Sequence, residues 1–120
     1  MDKLHRRLVA WQKGMDLVVL IYELTGSFQK EETYGLVSQM RRAAVSRQSN
    51  IAEGAADWSK EQFKNFLRTA IGSLNELNTQ LEIAFRIGYL GEGDHTSAQN
   101  LLDECLAVTF GLRRSLDNRS

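Results

Sequence analysis

Apolar residues recur along most of this chain at intervals of three and four, the spacing of one face of an α-helix. Leu8, Trp11, Met15, Val18 and Tyr22 predict a first helix over about Leu8 to Thr25. A second series, Leu17, Ile21, Leu24 and Phe28, runs along a neighbouring face of that helix. One stripe suffices to seat a helix in a small bundle, so the second suggests a further partner, either a second helix of the same chain or another subunit. The sequence reading makes Leu17, Ile21, Leu24 and Phe28 an oligomer interface and Trp11, Met15, Val18 and Tyr22 part of the core.

A break over Gly26 to Glu32 separates a second helix, from about Thr33 to Asp57. Its face of Leu36, Met40, Ala43, Ala44, Ile51, Gly54 and Ala55 is made mostly of small residues, which lets helix axes approach closely. Gly54 reads as a packing point within the helix. Arg47 falls in the middle of this face, where the spacing calls for an apolar residue. Ser46, Asn50 and Glu53 gather on one side and predict a polar network, with an arginine (Arg42, Arg68 or Arg47) holding the carboxylate. An unpaired buried carboxylate would be costly.

Ser59 and Gln62 form a capping box at the start of a third helix. Its stripe runs through Phe63, Phe66, Leu67, Ala70, Leu74, Leu77, Leu81, Ala84 and Phe85, and Gly88 stops it. A fourth helix is expected from Thr96, burying Leu101, Cys105, Val108, Leu112 and Leu116 and leaving Phe110 off the buried face. Alternating β-branched runs are absent, and proline is absent altogether. The predicted class is all-α, an up-down antiparallel four-helix bundle. It forms one domain over residues 1–120, with a flexible segment at about 1–7 and a frayed end at about 117–120.

Fifteen basic and fifteen acidic residues cancel. Phosphate binding would therefore have to come from a local patch. The residues available for one are Arg6, Arg7 and Lys13 near the N-terminus and Arg41, Arg42 and Arg47 on the second helix, and arginine forks match phosphate oxygens well. The only histidines, His5 and His95, lie far apart, and the single cysteine falls in an apolar stripe. No metal site, catalytic group or cofactor is predicted, and the expectation is a non-enzymatic protein. No apolar run is long enough to cross a bilayer, and no signal-peptide pattern opens the chain. The expected location is the cytoplasm, with no membrane partner.

Val9-Ala10-Trp11-Gln12-Lys13-Gly14-Met15, Gln39-Met40-Arg41-Arg42-Ala43-Ala44-Val45-Ser46 and Ser49-Asn50-Ile51-Ala52-Glu53-Gly54 carry a family resemblance. So do Gly72-Ser73-Leu74-Asn75-Glu76-Leu77 and Thr79-Gln80-Leu81. Together they resemble the small bacterial four-helix bundle proteins encoded in 23S rRNA intervening sequences, the S23-type ribosomal protein family. The resemblance implies a homopentamer of unestablished role with no known catalysis. A distant relative, the accessory protein of diversity-generating retroelements, forms a similar pentameric barrel and binds nucleic acid, which implies RNA or DNA as a possible partner. The alternative is a protein-interaction scaffold that binds no nucleic acid. Two departures from the family pattern stand out. Arg47 and Gln48 replace an apolar residue and a proline, and Gln29 replaces the proline after Phe28. Losing the second-helix proline restores a backbone donor and straightens the helix.

Overall fold

The computed structural model describes His5, residues 8–56 and residues 59–118. Four α-helices account for nearly all of it: α1 Val9–Thr25, α2 Leu36–Ala56, α3 Lys60–Arg86 and α4 Glu92–Asp117. A short 3-10 turn, Lys30–Glu32, lies between α1 and α2. Each helix packs on its neighbours in the order α1, α2, α3, α4 and back to α1, while the diagonal pairs stay apart. The result is an antiparallel bundle measuring 49 × 24 × 22 Å.

The helix ends follow local chemistry. Ser59 caps α3 by accepting the Gln62 N–H at 3.3 Å, as the capping box predicts. Gly88, with φ +87°, ends α3 in a left-handed turn. There the N–H groups of Gly88 and Tyr89 return to the carbonyls of Phe85 and Ala84. At the head of α2, Glu32 Oε1 accepts the Leu36 N–H, and Tyr89 donates its hydroxyl to Glu32 Oε2. α4 begins at Glu92, four residues before the expected Thr96. Glu92 and Asp94 lie in its first turn, where carboxylates favour the positive end of the helix dipole.

Leu17, Ile21, Met40, Ala43, Ala44, Leu74, Leu77, Leu81, Ala84, Ala98, Leu102 and Cys105 form the main core. Ile51, Leu67, Ala70 and Leu116 form a second cluster toward the other end, packed with Leu8, Trp11, Phe63 and Leu112. Leu17 and Ile21 are thus interior residues of the single chain, and Leu24 and Phe28 pack against the same core. This corrects the expectation of an oligomer interface for Leu17 and Ile21, while Leu24 and Phe28 keep part of their surface exposed. Met15 and Tyr22, expected in the core, are exposed, while Trp11 and Val18 are half-buried. The deciding residues are Ala10 and Gly14, both buried. They continue the Leu17 and Ile21 face toward the N-terminus and have too little side chain to register in a hydrophobic count. Their smallness brings α1 against α2. Burial of a leucine or isoleucine contributes about 1.5–3 kcal/mol each, enough to set the rotation of the helix.

Gly54 lies in the last turn of α2 and is buried against α3. A Cβ there would lie 2.7 Å from Phe63 Cδ1 and 2.9 Å from Phe66 Cβ.

Candidate functional site

Between the two apolar clusters, α2 places Arg47 and Gln48 on its buried face. Arg47 has no solvent exposure. Its Nη1 donates to the Ala10 carbonyl and, at 2.6 Å, to Gln48 Oε1. Its Nη2 donates to Thr109 Oγ1 at 2.7 Å and to the Cys105 carbonyl at 3.4 Å. Gln48 Nε2 in turn donates to the Trp11 carbonyl at 2.8 Å. All four acceptors of the guanidinium are neutral. Arg47 Nε is buried and has no hydrogen-bond partner. Burial pulls the guanidinium below its ordinary pKa, with the neighbouring Cys105 opposing. Burial likewise pushes the Cys105 thiol up, against the pull of Arg47. Gly14 makes the arrangement possible, because a Cβ at that position would land on Gln48 Oε1 and Arg47 Nη1.

Arg47 was expected on a phosphate-binding surface, and its burial removes it from any such role. Lys13 lies on the far side of α1 and pairs with Glu104 of α4 at 3.2 Å. Arg6 and Arg7 lie outside the described residues. Arg41 and Arg42 are the two predicted basic residues that share one surface feature. Together with Tyr22, Thr33, Tyr34, Val37, Ser38 and Val45 they line an open groove of about 440 Å³ between the end of α1 and the start of α2. Arg41 is half engaged: its Nε donates to Thr25 Oγ1 at 2.9 Å, its Nη2 donates to the Tyr22 carbonyl, and its guanidinium stacks 4.4 Å from the Tyr22 ring centre. Arg42 is exposed. Among the described residues, no acidic residue lines the groove.

The predicted polar network exists in part. Asn50 Nδ2 donates to the Ser46 carbonyl at 2.8 Å, and Ser46 Oγ meets Ser73 Oγ of α3 at 3.1 Å. Glu53 is exposed and takes no buried place in it, so the expected buried pairing with an arginine is corrected.

Sequence reasoning missed Gln48 and Thr109 as partners of Arg47. It also missed Tyr34, which is 95% exposed beside the groove. Among the described residues, no cluster of three His, Cys, Asp or Glu side chains could hold a metal ion, and no helix is long and apolar enough to cross a membrane.

An antiparallel four-helix bundle with small residues at its α1–α2 contact and a polar pair buried in mid-core defines an all-α protein class. The chain belongs to the family of 23S rRNA-intervening sequence proteins, whose profile matches residues 6–111. A similar solved structure is a protein of unknown function from the S23 ribosomal protein family of Bacteroides thetaiotaomicron VPI-5482. It superimposes with a TM-score of 0.82 at 24% sequence identity, over 88% of this chain and 96% of that one, a likeness of fold. No curated protein matches the chain.

Proposed function

We propose that this protein is a non-enzymatic bacterial subunit that assembles with copies of itself, five to a closed ring, and acts as a cytoplasmic scaffold. The observation that carries this reading is the apolar outer side of α1 and α2. Met15, Val19 and Tyr22 recur at helical spacing on α1 and are 38%, 53% and 44% exposed. Tyr34 and Val45 extend the surface at the start of α2 and along it. Contiguous exposed apolar surface of this kind marks an interaction site. The pentamer is what the family resemblance implies, and closed cyclic symmetry is the common outcome for homo-oligomers. The absence of an enzymatic role is supported by Cys105, the one thiol, which is fully buried and has its pKa raised. A nucleophilic cysteine needs the opposite environment.

Sedimentation equilibrium at micromolar concentration tests the reading. A closed oligomer is expected, and Val19→Glu is expected to weaken it. A monomeric wild-type protein would overturn the proposal.

The nucleic-acid reading rests on Arg41 and Arg42, which share a groove with two tyrosines and no carboxylate. It has lost Arg47 to the core and Lys13 to Glu104, so the scaffold is the better supported reading. Titration with RNA and DNA at about 50 and 200 mM salt separates the two, because phosphate contacts weaken steeply as salt rises.

A further inference from the structure

We infer that the Arg41–Arg42 groove receives the outer edge of α3 from a second copy of this chain, with Glu76, Ile83 and Ile87 as the inserted residues. This inference rests on the self-assembly proposed above and names the two surfaces that meet.

Three observations carry it. The first is chemical complementarity. The groove offers Tyr22, Tyr34, Val37 and Val45 as apolar lining and Arg42 as an exposed cation, with no acid. Ile83 and Ile87 are the large apolar residues that α3 and its C-cap expose, 45% and 52% accessible, and exposed Glu76 lies two helical turns before Ile83. The strip thus carries Glu76 as its carboxylate, with Arg86 on the same face already paired to Glu82 at 2.8 Å, and the groove is apolar and bears arginines. Opposite charges across such a contact fix its register.

The second observation is position around the bundle. Ser73 touches Ser46 of α2, and Ile87 follows Ser73 by two heptads, so Ile87 lies toward the α2 side of α3. Asn78 and Glu82, by contrast, reach Gln99 and His95 of α4. The strip therefore lies on the α2–α3 side, and the groove lies on the adjacent α1–α2 side. Two different surfaces meeting head to tail give a heterologous contact. Because they occupy adjacent sides, each added copy turns the row through a large angle. The row closes into a ring after a handful of subunits.

The third observation is height. In a ring whose axis parallels the helices, every residue keeps its level from copy to copy. The Ser46–Ser73 contact sets a common level on α2 and α3. Moving from it toward the same end of the bundle, Arg42 is four residues away and Glu76 three. Ser38 is eight away and Ile83 ten, and beyond them lie Tyr34, in the turn before α2, and Ile87, at the C-cap of α3. At about 1.5 Å per residue the first two pairs agree in height to within about 3 Å. Docking at equal height sets Glu76 against Arg42, Ile83 against the Val37 and Ser38 part of the groove, and Ile87 beside Tyr34.

The test uses the full chain. Arg42→Glu and Glu76→Arg are each expected to raise the dissociation constant of the oligomer about ten-fold, and the double variant to restore it, since it rebuilds the pair with reversed sign. In a mixture of Tyr34→Cys chains with Ile87→Cys chains, mild oxidation is expected to link position 34 to position 87 between chains. Tyr34→Cys alone should give no such dimer, and wild type none either, because Cys105 is buried. If wild type assembles but the charge reversals leave the dissociation constant unchanged and the mixed disulfide does not form, this docking is overturned and self-assembly stands. If wild type is a monomer, both fall. If Arg42→Glu abolishes retention of an RNA or DNA oligonucleotide while assembly is untouched, the groove belongs to nucleic acid and the docking is likewise overturned.

Discussion

Replacing Arg47 with methionine should make the protein more stable. A cation removed from water costs several kcal/mol even after relaxation, and a counter-charge ordinarily offsets much of that cost. Arg47 has no carboxylate among its hydrogen-bond partners, which are two carbonyls, an amide oxygen and a hydroxyl. Hydrogen bonds from a charged donor return about 1.5–3 kcal/mol apiece at best. The 3.4 Å contact to Cys105 is long, and Nε is left without a partner. Methionine removes the charge and strands no opposite charge. Ala10 and Cys105 lie within helices and keep their backbone donors. Thr109 still donates to the Cys105 carbonyl at 2.6 Å. Only Gln48 Oε1 loses a donor without an evident replacement, a cost of about 1–3 kcal/mol that its slight exposure moderates. The side chain fills much of the same volume and adapts its shape. The expected net gain is about 1–3 kcal/mol, the range found when buried ions are replaced by apolar residues of similar size. For a domain of this length that raises Tm by about 4 °C per kcal/mol. Arg47→Ala should instead lose about 2–4 kcal/mol, since the same charge leaves but a cavity remains. Urea unfolding followed by circular dichroism measures both, at one fixed protein concentration because assembly adds to apparent stability. A methionine variant less stable than wild type by 1 kcal/mol or more would refute the reasoning and show that the neutral acceptors overcompensate the buried charge.

Two further outcomes follow from the packing of the bundle. Gly54→Ala places a methyl group against Phe63 and Phe66, so it should destabilise by about 1–3 kcal/mol in thermal unfolding despite the better helix propensity of alanine. Cys105 should resist thiol reagents in the folded protein and react only on unfolding. Because burial raises its folded pKa, the stability it contributes is whole below the ordinary thiol pKa and falls as pH rises toward the folded value. Cys105→Ser should remove that part of the alkaline loss, read as a flatter stability profile above about pH 8.5.

The helices and their antiparallel order were legible in the sequence because long periodic stripes without proline admit few other structures. α3 was read most accurately, since one dominant stripe left its rotation unambiguous. α1 carried two stripes of equal strength. The choice between them was made by Ala10 and Gly14, whose contribution is an absence of side chain and therefore weighs nothing in a hydrophobic count. The start of α4 was hidden by Gly91 and Gly93, which look like a loop until the carboxylates of Glu92 and Asp94 are credited to the helix dipole. Arg47 was recognised as out of place, and its partners were not, because Ala10, Cys105 and Thr109 come together only in the folded bundle. Glu53 was misjudged since a turn of helix cannot show, by spacing alone, which side of a seam it faces.

Gly14 bears on the history of this chain as well as on its packing. Arg47 and Gln48 occupy the space that any larger residue at position 14 would fill. A chain with an apolar residue and proline at 47 and 48, the pattern the family resemblance implies, would have no need of that space, so glycine at 14 would be tolerated there before the polar pair. The reverse order would have forced the polar pair into an occupied volume. Once the arginine was in place, position 14 lost its freedom to revert alone. Positions separated by more than thirty residues are thereby bound into one heritable unit, and lineages that keep a bulkier residue at 14 are expected to lack the arginine.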